Sequence, residues 1–185
     1  MPTPEQRLAE LRQAEGAGAS LEFVFFWNEP PQPSGQPGRG CLSQFWPAPF
    51  VVGGVTYPAA EHWMMAEKAR LFGDEQAVEA ILAAPTAPEA KAAGRRVRGF
   101  GEDRWEAARY TVVVAGNLAK FSQHDDLRRF LLSTGDRVLV EASPYDRVWG
   151  IGLAEDDERA TSPVRWRGRN LLAFALMDVR DRLAP

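Results

Sequence analysis

The chain of 185 residues contains one cysteine, Cys41, and two histidines, His62 and His124. A lone cysteine excludes an internal disulfide and fits a reducing compartment. With so few soft ligands there is no zinc pattern, and neither a Walker loop nor a dinucleotide-binding glycine fingerprint occurs, so the sequence implies no metal and no cofactor. Positive charge is also scarce: 22 Lys and Arg against 25 Asp and Glu leave a net charge of −3. That balance excludes a general electrostatic grip on nucleic acid or anionic lipid, while a single base held in a local pocket remains compatible with it. No run approaches the length of about 18 apolar residues that a membrane span requires. The segment from Met1 to Arg7 lacks the apolar centre of a signal peptide, and the expectation is a soluble, cytoplasmic protein with no membrane partner.

What is present is a globular composition, 45% hydrophobic with ten Phe and six Trp. A chain of this length suggests one domain, burying about 70% of the surface its unfolded form exposes. Thr3-Pro4-Glu5 reads as a helix cap with Pro in the first turn, and that helix is expected to end before the flexible joint Glu15–Ser20. Phe23–Trp27 reads as a buried strand, and residues 30–40, rich in Pro and Gly, as loop. Phe50–Val52 and Val55–Tyr57 flank Gly53-Gly54, a hairpin signal. Helices are predicted from Pro58 to about Phe72, Asp74 to Ala83, Pro88 to Ala93, about Glu102 to Lys120, Asp125 or Asp126 to Ser133, and from near Asn170 to the end. Val138–Glu141 is a strand. The expected fold is α+β: a predominantly α-helical single domain with a small sheet of two to four short strands, preceded by a variable N-terminal helix and joint over residues 1–20.

Two constellations carry candidate chemistry. At 100° per residue Glu61 and Lys68 fall almost on one line of a helix, about 10 Å apart along its axis, with Met64 and Met65 between them in height. They are either an ordinary charge pair on a helix or the two ends of a site; burial would lower the basicity of the amine and a close carboxylate would raise it. The second constellation, Glu141–Gly152, opens from a strand end. There Asp146 could accept bonds from sugar hydroxyls, Trp149 could stack on a base, and Gly150 and Gly152 would admit a sugar or phosphate close to the backbone. The alternative is a turn with an Asp cap and a core Trp. Asn170 is either a helix N-cap or a polar contact to ligand. Glu155–Glu158 reads as a solvated acidic loop, and only composition links Cys41 with His62 as a nucleophile pair.

Six motifs in order then resemble the NADAR (YbiA-like) family: Leu42-Ser43-Gln44-Phe45-Trp46-Pro47; Tyr57-Pro58 with Glu61-His62-Trp63-Met64 and Lys68; Lys120-Phe121 with Gln123; Leu131-Leu132 with Thr134-Gly135-Asp136; Glu141-Ala142-Ser143 with Asp146, Trp149-Gly150 and Gly152; and Trp166, Gly168 and Asn170-Leu171-Leu172. The likeness covers roughly residues 22–183. It implies an N-glycosidase acting on a ribose–base C–N bond, with two substrate classes: ADP-ribose on guanine bases of DNA or nucleotides, or ribosylamino-pyrimidine phosphates of riboflavin biosynthesis. The implied partners are therefore a ribose-containing nucleotide or ADP-ribosyl substrate, with ADP-ribosylated DNA among them; the sequence sets no oligomeric state. By position, the lysine that forms a Schiff base with ribose in some members is Lys68. The family's helix carboxylate is Glu61, and Asp146 and Trp149 take the places of its later Asp and Trp, so the resemblance implies Glu61, Lys68 and Asp146 as the catalytic set and Trp149 as a substrate contact. Phe45, Trp46, Gly150, Gly152 and Asn170 complete the expected substrate-binding set. Ala173 stands where many relatives have Gly and adds a methyl at a helix contact; Gln44 stands where Asn is frequent and is expected to lengthen a polar reach into the site, which bears on substrate preference more than on chemistry. A non-catalytic reader of ADP-ribose or nucleotides is the alternative that the same residues allow.

Overall fold

Seven α-helices and four short strands make up the regular structure among the described residues, so helices dominate an α+β fold. The computed structural model describes residues 2–27, 29 and 36–184. The expected loop over 30–40 therefore falls partly outside the described residues; its end, Arg39–Leu42, forms a 3₁₀ turn. The chain divides into two compact units, residues 1–43 with 129–185, and residues 44–128.

The second of these opens with β2 (Phe50–Val52) and β3 (Val55–Tyr57), paired antiparallel with Phe50 opposite Tyr57. Gly53 and Gly54 both have positive φ, 58° and 80°, as the tight turn that matches strand twist requires. Gln123 secures the free side of β2, its amide giving and receiving 2.9 Å bonds with the backbone of Val51. Helix α2 (Ala60–Leu71) lies at the centre of this unit and packs on α3 (Glu75–Leu82), α4 (Ala87–Gly94) and α5 (Glu102–Gln123). The helix starts two residues later than Pro58 predicts, with no side-chain cap; instead Glu61 N–H donates to the Gln44 carbonyl at 3.0 Å. Asp74 caps α3 and Thr86 caps α4, each side chain accepting from the backbone N–H three residues on.

In the other unit β1 (Phe23–Phe26) and β4 (Val138–Glu141) pair in parallel, Phe23 opposite Val138 and Phe26 opposite Glu141. The four strands thus make two separate two-stranded sheets rather than one. Helix α7 (Leu171–Leu183) packs on β4 and is buried over every residue from Leu171 to Arg180, as a helix enclosed on all sides must be. Ala173, at 0% exposure, is part of that core. Helix α1 (Pro4–Gly16) has a capping box between Thr3 and Gln6 and outlasts the expected stop before Glu15. It buries no residue of its own and is held by polar tethers: Arg7 to Asp178 at 2.5 Å, Arg12 to the Pro163 carbonyl at 3.1 Å, and Glu15 receiving Ser162 and the Val164 N–H. Along the chain α6 (Asp125–Ser133) leads from one unit into the other, burying Leu127 and Leu131.

Candidate active site

The predicted residues fall into two groups, one in each unit. In the helical unit, Glu61 opens α2 and is 1% exposed, while Lys68 closes its second turn and is half-buried. Lys68 Nζ donates to the Gly94 carbonyl at 3.0 Å and stands 4.3 Å from the centre of the Phe100 ring. Burial pushes its amine below the usual lysine range; Glu102 opposes this, Arg95 adds to it, and Glu61 opposes it. Lys68 is thus an amine with depressed basicity, anchored by a hydrogen bond to the Gly94 carbonyl.

The side chains between the two charges explain why α2 holds its place. Trp63 Nε1 donates to the Val112 carbonyl at 2.8 Å, and its ring meets Tyr57 edge-on at 5.1 Å. Met65 lies against Gly94, where a Cβ would fall 2.2 Å from its sulfur. Met64 is reached by Gln44, whose Nε2 lies 4.0 Å from Sδ and whose Oε1 receives Asn117 Nδ2 at 2.8 Å. The polar reach expected of Gln44 therefore goes into the core toward α5. Phe45 and Trp46 are both half-buried, and Lys91 Nζ lies 5.3 Å from the centre of the Phe45 ring. His62 is 1% exposed, with Nε2 3.1 Å from the Ala84 carbonyl; burial pushes its pKa down. Since a carbonyl only accepts, Nε2 carries the proton and Nδ1 the lone pair.

In the strand-containing unit, Asp146 Oδ1 receives the N–H groups of Val148 at 2.8 Å and Trp149 at 2.7 Å, closing the turn after β4. The Asp-capped turn and the candidate sugar contact are thus the same residue, one oxygen committed to the backbone. Gly150 and Gly152 owe their identity first to this loop: a Cβ on Gly150 would lie 2.8 Å from the Glu141 carbonyl, and Gly152 has φ +69°. Asn170 stands at the N-cap position of α7 in the left-handed conformation, φ 56°, yet it makes no cap bond. Its Oδ1 receives Glu141 N–H at 3.0 Å and its Nδ2 donates to the Leu139 carbonyl at 3.0 Å, tying the start of α7 to β4. Trp149 is half-buried, and neighbouring Tyr145 is 87% exposed with its ring 5.9 Å from that of Trp27.

Sequence reasoning missed Gly94, Arg95 and Phe100 as surroundings of Lys68. The signal was the basic and aromatic run Arg95-Arg96-Val97-Arg98-Gly99-Phe100. Among the described residues no group of three or more His, Cys, Asp or Glu is placed to hold a metal ion, and no helix is long and apolar enough to cross a membrane.

A mixed fold dominated by helices, with a buried carboxylate and a half-buried amine on one helix, defines a protein equipped for polar group chemistry. Residues 25–184 match the family model described as the NADAR domain, and the chain belongs to that family. It is 38% identical over 165 residues to the N-glycosidase R617 of Acanthamoeba polyphaga mimivirus, covering 86% of this chain and 95% of that protein. It is 34% identical over 145 residues to the N-glycosidase Npun_R5314 of Nostoc punctiforme, covering 78% and 85% respectively. The NMR structure of the Escherichia coli protein YbiA superposes with a TM-score of 0.68 at 29% identity, over 88% of this chain and 84% of that one. Similarity to proteins named N-glycosidases supports a hydrolase acting on N-glycosyl bonds.

Proposed function

We propose that this chain hydrolyses a ribose–base C–N bond, its substrate being ADP-ribose attached to guanine in DNA or nucleotides, or a ribosylamino-pyrimidine phosphate. The observation that carries the reading is Lys68: an amine of lowered basicity on the same helix as buried Glu61. A neutral amine is a nucleophile at physiological pH where an ammonium is not. In the route this favours, the bond from C1 of the ribose to the base nitrogen breaks as Nζ bonds to C1, and the base departs with a proton from Glu61. Glu61 takes back one proton from Nζ, and the ring oxygen takes the other as its bond to C1 breaks, so that opening of the sugar ring turns the adduct into an imine. Water then adds to C1, and Nζ leaves as the amine.

Asp146 and Trp149 belong in this reading as contacts to ribose hydroxyls and base, with Gly150, Gly152 and Asn170 shaping the loop that presents them. Phe45 and Trp46 supply further aromatic surface. The protein acts in the cytoplasm, and the glycosidase domain begins near residue 21, with the N-terminal helix as an addition to it.

The test is mass-detected chromatography of the purified protein with ADP-ribosylated guanine DNA, the corresponding nucleotide and a ribosylaminopyrimidine phosphate, followed by borohydride trapping. Release of base or sugar from one of them, lost in Lys68→Ala together with a trapped adduct on Lys68, is the expected result. Turnover by Lys68→Ala at the wild-type rate refutes the amine route, and ligand binding with no turnover of any substrate favours a reader instead.

A further inference from the structure

The segment around the carbonyl that holds Lys68 has no part in bond cleavage, and it is unlike the rest of this acidic chain. From Lys91 to Arg104 it carries five basic side chains, Lys91, Arg95, Arg96, Arg98 and Arg104, against two acidic ones, Glu102 and Asp103. Arg98 is committed to Asp74, with Nη2 at 2.6 Å and the backbone N–H at 2.8 Å from its carboxylate. Arg104 lies over the Phe72 ring at 5.6 Å. Arg95 and Arg96 are exposed, and neither has a carboxylate partner among the described residues.

Their position singles them out. Arg95 follows Gly94, whose carbonyl receives Lys68 Nζ, and Arg95 is close enough to Lys68 to depress its basicity. Lys91 and Arg95 are four residues apart across the end of α4, neighbours on one face at about 6 Å between Cβ atoms. Lys91 in turn lies over Phe45. Guanidinium groups present paired N–H donors that fit phosphate oxygens, and an ammonium beside them adds charge. The Arg95 guanidinium thus stands close to the Lys68 amine with no carboxylate of its own among the described residues, and Arg96, next to it in the chain, adds a second exposed positive charge that an anion can meet.

We propose that Lys91, Arg95 and Arg96 form a phosphate-binding subsite that holds a phosphate group of the substrate beside Lys68. For the identity of the substrate this rests on the glycosidase reading; for anion binding it does not. The subsite anchors a part of the substrate remote from the bond that breaks, so its loss raises KM rather than lowering kcat.

Calorimetric titration of the full chain with inorganic pyrophosphate tests it, comparing wild type with the double variant Arg95→Gln/Arg96→Gln and with Arg182→Gln, an exposed arginine of the other unit. Thermal melts verify that all three are folded. Wild type and Arg182→Gln are expected to bind alike and the double variant about tenfold more weakly or worse, the worth of one charge-assisted hydrogen bond. With a cleaved substrate, KM rises about tenfold in the double variant while kcat stays within a factor of about two. A rise with nucleotide and oligonucleotide alike assigns the subsite to phosphates of the transferred sugar; a rise with the oligonucleotide alone assigns it to the strand backbone. Pyrophosphate that does not bind wild type, or that binds the double variant equally well, overturns the proposal. If no glycoside is cleaved, the glycosidase reading falls while the titration still decides the subsite.

Discussion

Gly116 sits in the middle of α5, where alanine would ordinarily stabilise a helix by about 1 kcal/mol. Here the substitution Gly116→Ala should do the opposite. A Cβ on this residue would lie 2.2 Å from Cδ1, 2.7 Å from Nε1 and 2.9 Å from Cγ of Trp63. Carbon atoms in favourable contact are about 3.5 Å apart, so the indole or the helix has to move by about 1 Å. Trp63 is not free to swing aside, because Nε1 donates to the Val112 carbonyl and the ring edge abuts Tyr57. Overpacking of this kind costs about 1–3 kcal/mol and a broken hydrogen bond about 1 kcal/mol more. Set against the helix gain, the net destabilisation is about 1–3 kcal/mol. For a chain of this size that lowers Tm by about 2–12 °C in a calorimetric melt. Trp63 stands between Glu61 and Lys68 on α2, so glycosidase turnover should fall along with stability. The decisive control is the Trp63→Ala background: with the indole gone, Gly116→Ala should raise stability by up to about 1 kcal/mol. A Gly116→Ala protein that melts at or above the wild-type temperature, with Trp63 intact, refutes the reasoning.

Lys68 should impose a rising limb on the pH dependence of kcat/KM, with its midpoint below the ordinary lysine value of about 10.4 because burial weakens the amine; a midpoint at or above that value removes the neutral amine from the mechanism. His62 is buried neutral with its pKa pushed down, so between its folded value and the unfolded value of about 6.5 the unfolded chain binds more protons. Its contribution is complete above about pH 6.5 and is lost as the pH falls through that window, so urea midpoints should drop less steeply on acidification in His62→Gln than in wild type; identical slopes would contradict this. Asn170→Ala removes the partners of Glu141 N–H and the Leu139 carbonyl and places alanine at φ 56°, which should cost about 3–5 kcal/mol by urea denaturation. Asn170→Gly should recover only the backbone share, about 1 kcal/mol; a loss under about 1 kcal/mol in Asn170→Ala would sink the argument.

What could be read from the sequence was what is local. Glu61 and Lys68 share a helix because seven residues at 100° each bring them into line, and no packing detail enters that inference. The hairpin at Gly53-Gly54 and the cap at Thr3 were legible for the same reason, each being a bond between residues a few positions apart. The parallel pairing of Phe23–Phe26 with Val138–Glu141 was not legible, since nothing within either strand names the other. Asn170 shows the limit most sharply: as a residue type at a helix start it reads as a cap or a ligand contact, but its amide serves the backbone of β4, a distant stretch of chain. The same holds for the surroundings of Lys68. The basic run after Gly94 was visible as composition, but it acquires meaning only once α4 lies on α2. That approach depends on Gly94, where any Cβ would strike Met65; it delivers the carbonyl that holds the amine, whose basicity is lowered first by burial and then further by the guanidinium of Arg95. A glycine chosen for packing therefore sets the chemistry of a lysine on another helix, a dependence of the kind that lives in contacts between elements and has no signature within either one.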